Sequence, residues 1–172
     1  MATAIMTDTN SGMTVEEADR LGVTLAPMPF IVDGRTYHEG IDLPRERFFQ
    51  LLQGGADVST SQVEPGNLIL AWEDLLRSHE GVVYIPMSSG LSGSCVTAKA
   101  LASAYNGRVQ VVDNHRISVT QRQSVYDAVS LAREGRTALE ILEALEADAY
   151  YASIYIAVDT LEYLRKGGRL SS

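Results

Sequence analysis

The sequence predicts an α/β fold, a mostly parallel sheet flanked by helices, and three observations carry that prediction. Short apolar runs, Ala2–Thr7, Val82–Ile85 and Val109–Val112, have the length and branched content of buried strands. Segments with apolar residues at helical spacing lie between them. Each run also ends in small polar residues suited to a loop that feeds the next helix: Asp8-Thr-Asn-Ser-Gly12, Met87–Gly93 and Asp113-Asn114.

The elements follow in order. After the Ala2–Thr7 strand, Thr14 with Glu17 marks a capped helix over Val15–Arg20. Val23–Val32 reads as one strand, placed at an edge or bend by Pro27 and Pro29. Asp33-Gly34 is a turn signal, and Arg35–His38 returns as the second arm of a hairpin. Pro44 opens a helix carrying Phe48, Leu51 and Leu52, which Gly54-Gly55 ends. Val58–Gln62 reads as a polar loop, and a helix with Leu68, Trp72, Leu75 and Leu76 on its apolar face follows Pro65. Pro86 stops the Val82–Ile85 strand, and a helix runs on through Ala104. Beyond Val109–Val112, helices are expected over Thr120–Arg133 and Ala138–Ala147, the second capped by Thr137 with Glu140. Tyr150–Val158 reads as a last strand, followed by a helical turn over Leu161–Lys166 and by Gly167-Gly168.

Composition narrows the function classes. The chain has 172 residues, 45% of them hydrophobic, enough for one core. Fourteen Lys and Arg against 22 Asp and Glu leave a net charge of −8, which argues against nucleic-acid binding because an acidic surface repels phosphates. Cys95 is the single cysteine and has no internal partner, so a cytoplasmic location is expected. The first eight residues lack a basic segment and reach Asp8, unlike a signal peptide. The longest uncharged stretch, Gly81–Ala98, holds Pro86 and several serines and glycines, too broken to span a bilayer.

In an open α/β sheet, ligands bind at the carboxyl ends of the strands. Three hydroxyl-rich segments are candidates: Asp8–Gly12, Ser59-Thr-Ser-Gln62 and Ser88-Ser-Gly-Leu-Ser-Gly-Ser94. In the third, glycines let the backbone approach a ligand, serines supply donors, and a helix start adds free N–H groups, a combination suited to a carboxylate or phosphate. The bland reading is that these are ordinary caps and turns. Ser92 and His115 are also the members of a conceivable small serine hydrolase, although Gly90-Leu-Ser92-Gly-Ser94 lacks the last glycine of a nucleophile elbow. His38, His79 and His115 have no metal-ligand spacing, and no phosphate or dinucleotide loop is present, so neither metal nor cofactor is expected. Cys95, near a helix start, reads as a buried structural thiol, with a lowered pKa as the other reading.

Together, Thr7-Asp8-Thr-Asn-Ser11, Ser59–Gln62, Ser88–Gly93, Val111-Val-Asp113 and Asp159–Arg169 resemble the DegV family in order and spacing, across nearly the whole chain. Members are bacterial fatty-acid-binding proteins of two α/β lobes that hold the lipid between them. The resemblance implies that Thr60 and Ser92 hydrogen-bond the carboxylate of a long-chain fatty acid, with Ser61 and Gly93 beside them and Asp8, Ser89 and Arg169 in support. It implies a carrier that presents the acyl chain to a separate fatty-acid kinase and has no catalytic residue of its own. The sequence departs from the family at Cys95, at Asn114-His-Arg116 and Thr120-Gln121, and at Val63-Glu-Pro65. Family members also continue into a second lobe that completes the acyl tunnel and supplies a head-group histidine. Residues 1–149 are therefore expected to form the first lobe, and 150–172 the incomplete start of the second, with an uncovered strand. A non-functional fragment is the remaining alternative.

Overall fold

The computed structural model describes residues 2–170. In chain order the elements are β1 (Thr3–Asp8), α1 (Val15–Leu21), β2 (Val23–Ala26), β3 (Pro29–Val32), β4 (Arg35–His38), α2 (Arg45–Gln53), β5 (Val58–Thr60), α3 (Pro65–Leu75), β6 (Gly81–Ile85), α4 (Ser94–Ala102), β7 (Val109–Val111), α5 (Ser118–Arg133), α6 (Ala138–Ala147) and α7 (Glu162–Lys166). Four strands form a parallel sheet in the order β2-β1-β6-β7. The register sets Ile5 beside Val23 on one side and Val83 on the other.

Strand alternation divides the core into two layers. Ala4, Met6, Val82 and Tyr84 face Leu68 and Trp72 of α3 and Cys95 and Ala98 of α4. Ile5, Val83 and Ile85 face the other way, onto Ala18 of α1, Val125 and Ala128 of α5, and Ile141 and Leu145 of α6. All five residues of β6 are buried, as a central parallel strand covered on both faces requires. The start of α6 confirms its expected cap, since Thr137 accepts from the Glu140 amide and Glu140 returns a bond to the Thr137 amide.

Three sequence expectations need correction. Val23–Val32 is two strands in two sheets: the chain leaves the parallel sheet after Ala26 and enters a separate antiparallel sheet, β4-β3-β5, at Pro29. The Asp33-Gly34 hairpin turn is present, with positive φ at both residues (48° and 79°), as a two-residue turn of the mirror-image type demands. Val58–Thr60, expected as loop, is the third strand of that sheet, with Thr60 opposite Phe30. Tyr150–Val158, expected as a strand, has no ladder partner among the described residues: Ala149–Tyr151 is a single helical turn, and 152–159 form no regular element. The ends of the two expected units, Met1 and Ser171-Ser172, lie outside the described residues.

Candidate functional site

The parallel order reverses at β1. From it the chain first moves outward to β2 and later resumes on the opposite side with β6, which places a topological switch point at the carboxyl ends of β1 and β6. Asp8 ends β1 and is fully buried. Its Oδ2 accepts from the Met87 amide at 2.9 Å, and its Oδ1 accepts from Gln121 Nε2 at 3.0 Å and the Asn10 amide at 3.1 Å. Burial pushes the Asp8 carboxyl above the usual carboxylate range, against the pull of these donors.

The loop from Met87 to Gly93 leaves β6 at this point, and its amides are captured in turn. Met87 donates to Asp8, Ser88 to the Arg116 carbonyl (2.9 Å), and Ser89 to Asp113 Oδ1 (3.2 Å). Gly90 donates to Ser88 Oγ, and Leu91 and Ser92 both donate to the Ser88 carbonyl. Ser92 Oγ then accepts from the Ser94 amide at 3.2 Å and shares a hydrogen bond with Ser94 Oγ at 2.9 Å. Among the described residues, the amides of Gly93, Cys95 and Val96 at the start of α4 find no partner. The loop is thus internally satisfied up to Ser92, and free donors begin where the helix dipole is positive.

The loop after β7 props this one. Arg116 is 4% exposed, and its guanidinium bonds Ser124 Oγ, the Asp148 carbonyl and the Asp148 carboxylate (2.7 Å). Asn114, also buried, donates to the same Ser124 hydroxyl. His115 and Ser118 bracket Arg116 with φ of 57° and 55°, a left-handed backbone that side chains adopt only when held. Burial raises the Asp113 carboxyl, but hydrogen bonds from Ser89 together with the charges of His115 and Lys99 bring it below the usual range.

The residues singled out in the sequence fall on three elements. Half-buried Ser92 and exposed Gly93 form the turn before α4, and Ser89 is two residues past Met87, the residue held by Asp8. Thr60 and Ser61 are exposed at the end of β5, where the Ser61 amide donates to the Pro29 carbonyl. Gln62 carries this segment to the loop: its Oε1 accepts from Thr97 of α4 at 3.0 Å and lies against Gly93, where an added Cβ would meet it at 4.0 Å. Arg169 reaches the loop from the other end of the chain, its Nε donating to the Leu91 carbonyl at 3.1 Å. Ser92 and His115 are not paired: Ser92 bonds Ser94, while the His115 ring lies 3.8 Å from Asp113 Oδ1 and stacks on Tyr150. Cys95 is buried in the core and its thiol is pushed up to about 12, chiefly by desolvation, the opposite of an activated thiolate. Gln62 stands in the sequence only as the end of the Ser59–Gln62 segment, and Arg116 and Gln121 only among the departures from the family pattern, with no role assigned to any of them; a long polar side chain on the helix face that also carries Val125, Ala128 and Val129 was the available signal for Gln121.

Among the described residues no cluster of side chains suits a metal ion, and no helix is long and apolar enough to cross a membrane. The family model described as "uncharacterised protein, DegV family" matches residues 2–172. A DegV domain-containing protein of Deinococcus radiodurans is 33% identical over 171 residues, covering 99% of this chain and 61% of its own length. Two solved structures are similar. One is described as showing fatty acid binding of a DegV family protein from Thermus thermophilus (TM-score 0.86, 29% identity, 98% of this chain and 61% of that one). The other is DegV, a fatty acid binding protein from Bacillus subtilis (TM-score 0.85, 26% identity, 98% and 61%). The chain spans about three fifths of the length of these relatives.

Proposed function

The chain belongs to the DegV family, and from that premise we propose that it is a fatty-acid carrier whose carboxylate site is the start of α4. The observation that carries this reading is the run of free amides at Gly93, Cys95 and Val96, set directly after the Ser92 hydroxyl in a loop whose other amides are all taken. A carboxylate is an acceptor-only group, and a helix start with unused donors is its natural complement. Ser92 remains able to donate by releasing its bond to Ser94. Thr60 and Ser61, brought alongside by Gln62, supply the opposing hydroxyls, while Arg169 braces the far side of the turn through Leu91. Asp8 and Ser89 act from behind, holding the loop and not touching the ligand.

Exposed Leu91, Val96 and Val119 at the loop and at the starts of α4 and α5 offer apolar surface to the first methylenes, each worth about 0.8 kcal/mol when buried. Residues 1–149 are on this reading one lobe and 150–172 the beginning of another, so a longer acyl tunnel supplies most of the affinity. The carrier has no chemistry of its own and hands its ligand to a separate fatty-acid kinase in the cytoplasm. The fatty-acid binding of the Thermus and Bacillus relatives supports the ligand class.

Titration of the isotope-labelled chain with millimolar decanoate tests the site. The amide resonances of Gly93, Cys95 and Val96 are expected to shift together, and Thr60→Ala and Ser92→Ala each to weaken the response. Shifts that spare these three amides, or that survive both substitutions, would sink the assignment.

A further inference from the structure

Gln121 is fully buried on α5, and its side-chain amide meets the carboxyl ends of both β1 and β6. Nε2 lies 3.1 Å from Thr7 Oγ1, 3.0 Å from Asp8 Oδ1 and 3.1 Å from the Ile85 carbonyl. The orientation of this amide is determined by its surroundings. The Asp8 carboxylate and the Ile85 carbonyl only accept, and Thr7 spends its own proton on Ile85 at 2.7 Å, so toward Gln121 all three are acceptors and share the two protons of its nitrogen. The cost is visible on the other side of the group, where Gln121 Oε1 is buried without a partner among the described residues. A side chain present only to fill space at this position would do so better as a hydrocarbon, with no carbonyl left unsatisfied.

That arrangement matters because Asp8 is the first anchor of the loop. With Oδ1 fixed by Gln121, Oδ2 is aimed at the Met87 amide, and Met87 is the residue from which Ser88 to Gly93 depart. Ser88 and Ser89 are held from the opposite side by Arg116 and Asp113, so the loop is suspended between the β1 and β7 ends. Removing the β1 attachment leaves it tethered on one side only.

We propose that Gln121 is a positioning residue for the α4 head-group loop: by donating to Asp8 it directs that carboxylate onto Met87 and so sets where the free amides of Gly93, Cys95 and Val96 point. The proposal deepens, and rests on, the reading of those amides as the carboxylate site. The groups that face Gln121 are Thr7, Asp8 and the Ile85 carbonyl, and Asp8 is the one that titrates; the Tyr84 phenol couples electrostatically to Asp8 from β6, Cys95 of α4 couples to that phenol, and burial keeps both protonated.

Two variants test it, Gln121→Met, which keeps the length and removes the donor, and Gln121→Glu, which donates to Asp8 only when protonated. In Gln121→Met the hydrogen-exchange protection of the Met87 amide is expected to fall about tenfold while Val83 and Val112 keep theirs, because the opening is local. The decanoate-induced shift at Gly93 falls with it. In Gln121→Glu, Met87 protection is expected to be lost near about pH 7.5 and recovered near about pH 5, where the two carboxyls share a proton. Met87 protection in Gln121→Met equal to wild type, or a Gln121→Glu profile flat in pH, overturns the proposal. Should Gln121→Met fail to fold, the pH profile of Gln121→Glu decides alone. If wild-type Gly93 ignores decanoate while Met87 behaves as expected, the carboxylate reading fails and the loop-positioning role stands.

Discussion

The two sheets differ in how they are held, and the proposed site draws on both. The parallel sheet is buried on two faces, with Val82, Val83, Tyr84 and Ile85 completely excluded from solvent. The antiparallel sheet is a thin flap: Phe30 and Val32 of β3 are buried, but β4 and β5 are mostly open, and the ring of Phe48 from α2 packs edge-on against Phe30. Ser92 and Gly93 stand on the first sheet, Thr60 and Ser61 on the second. One side of the proposed carboxylate site is therefore preorganised and the other adjustable.

The largest expected effect is at the rigid side. Trp72 is fully buried between Tyr84 and Tyr105, and Trp72→Ala should cost about 3–5 kcal/mol in urea unfolding, with the whole parallel core lost together. Phe30→Ala probes the flap. It is expected to lower protection at Ile31 and Ser61 by about 2 kcal/mol while leaving Val83 untouched. Equal losses at all three amides would mean that the two sheets open as one unit.

A smaller contrast separates the hydroxyls. Ser92→Ala removes the acceptor of the Ser94 amide and should cost about 1 kcal/mol of stability, whereas exposed Thr60→Ala should stay within about 0.5 kcal/mol; both should weaken decanoate binding. Thermal melts beside titrations read the two quantities separately. Asp8 adds a pH dependence. Because burial raises its carboxyl in the folded chain, the folded state takes up that proton more readily than the unfolded one. Its contribution to stability is greatest in acid and declines as pH rises from the ordinary carboxyl value through the raised one. Comparing wild type with Asp8→Asn across that window should isolate the decline, and parallel pH curves would remove it. The smallest effect is at Cys95, where alkylating reagents at about pH 8 should leave the folded chain unmodified and label it only after unfolding.

Much of this was legible in the sequence, for identifiable reasons. Buried parallel strands are continuous apolar runs, so Val82–Ile85 and Val109–Val111 declared themselves, and the polar residues after each marked the loops at the strand ends on which the proposed site is built. The apolar run Val23–Val32 carried no mark of which sheet each half joins; that is decided by the break at Pro27-Met28 and by partners far along the chain. Thr60 belongs to a strand because Phe30 offers it a ladder, not because Ser59-Thr-Ser reads as one. Tyr150–Val158 is the converse, strand-like in composition but with no ladder partner among the described residues, and strands do not form alone. Its Tyr151, Tyr155 and Ile156 stay exposed in consequence. Gln121 was hidden because its role depends on which residue of β1 it meets, a contact across 113 positions.

Trp72 is the only tryptophan in the chain, and it sits in the parallel core with two tyrosines at ring-centroid distances of 6.0 and 5.7 Å. Its emission is therefore a built-in reporter of that core, excited in part by energy passed from Tyr84 and Tyr105. No such reporter lies in the antiparallel flap, so a fluorescence melt of this protein records the loss of the parallel core and is blind to an earlier opening at Thr60 and Ser61.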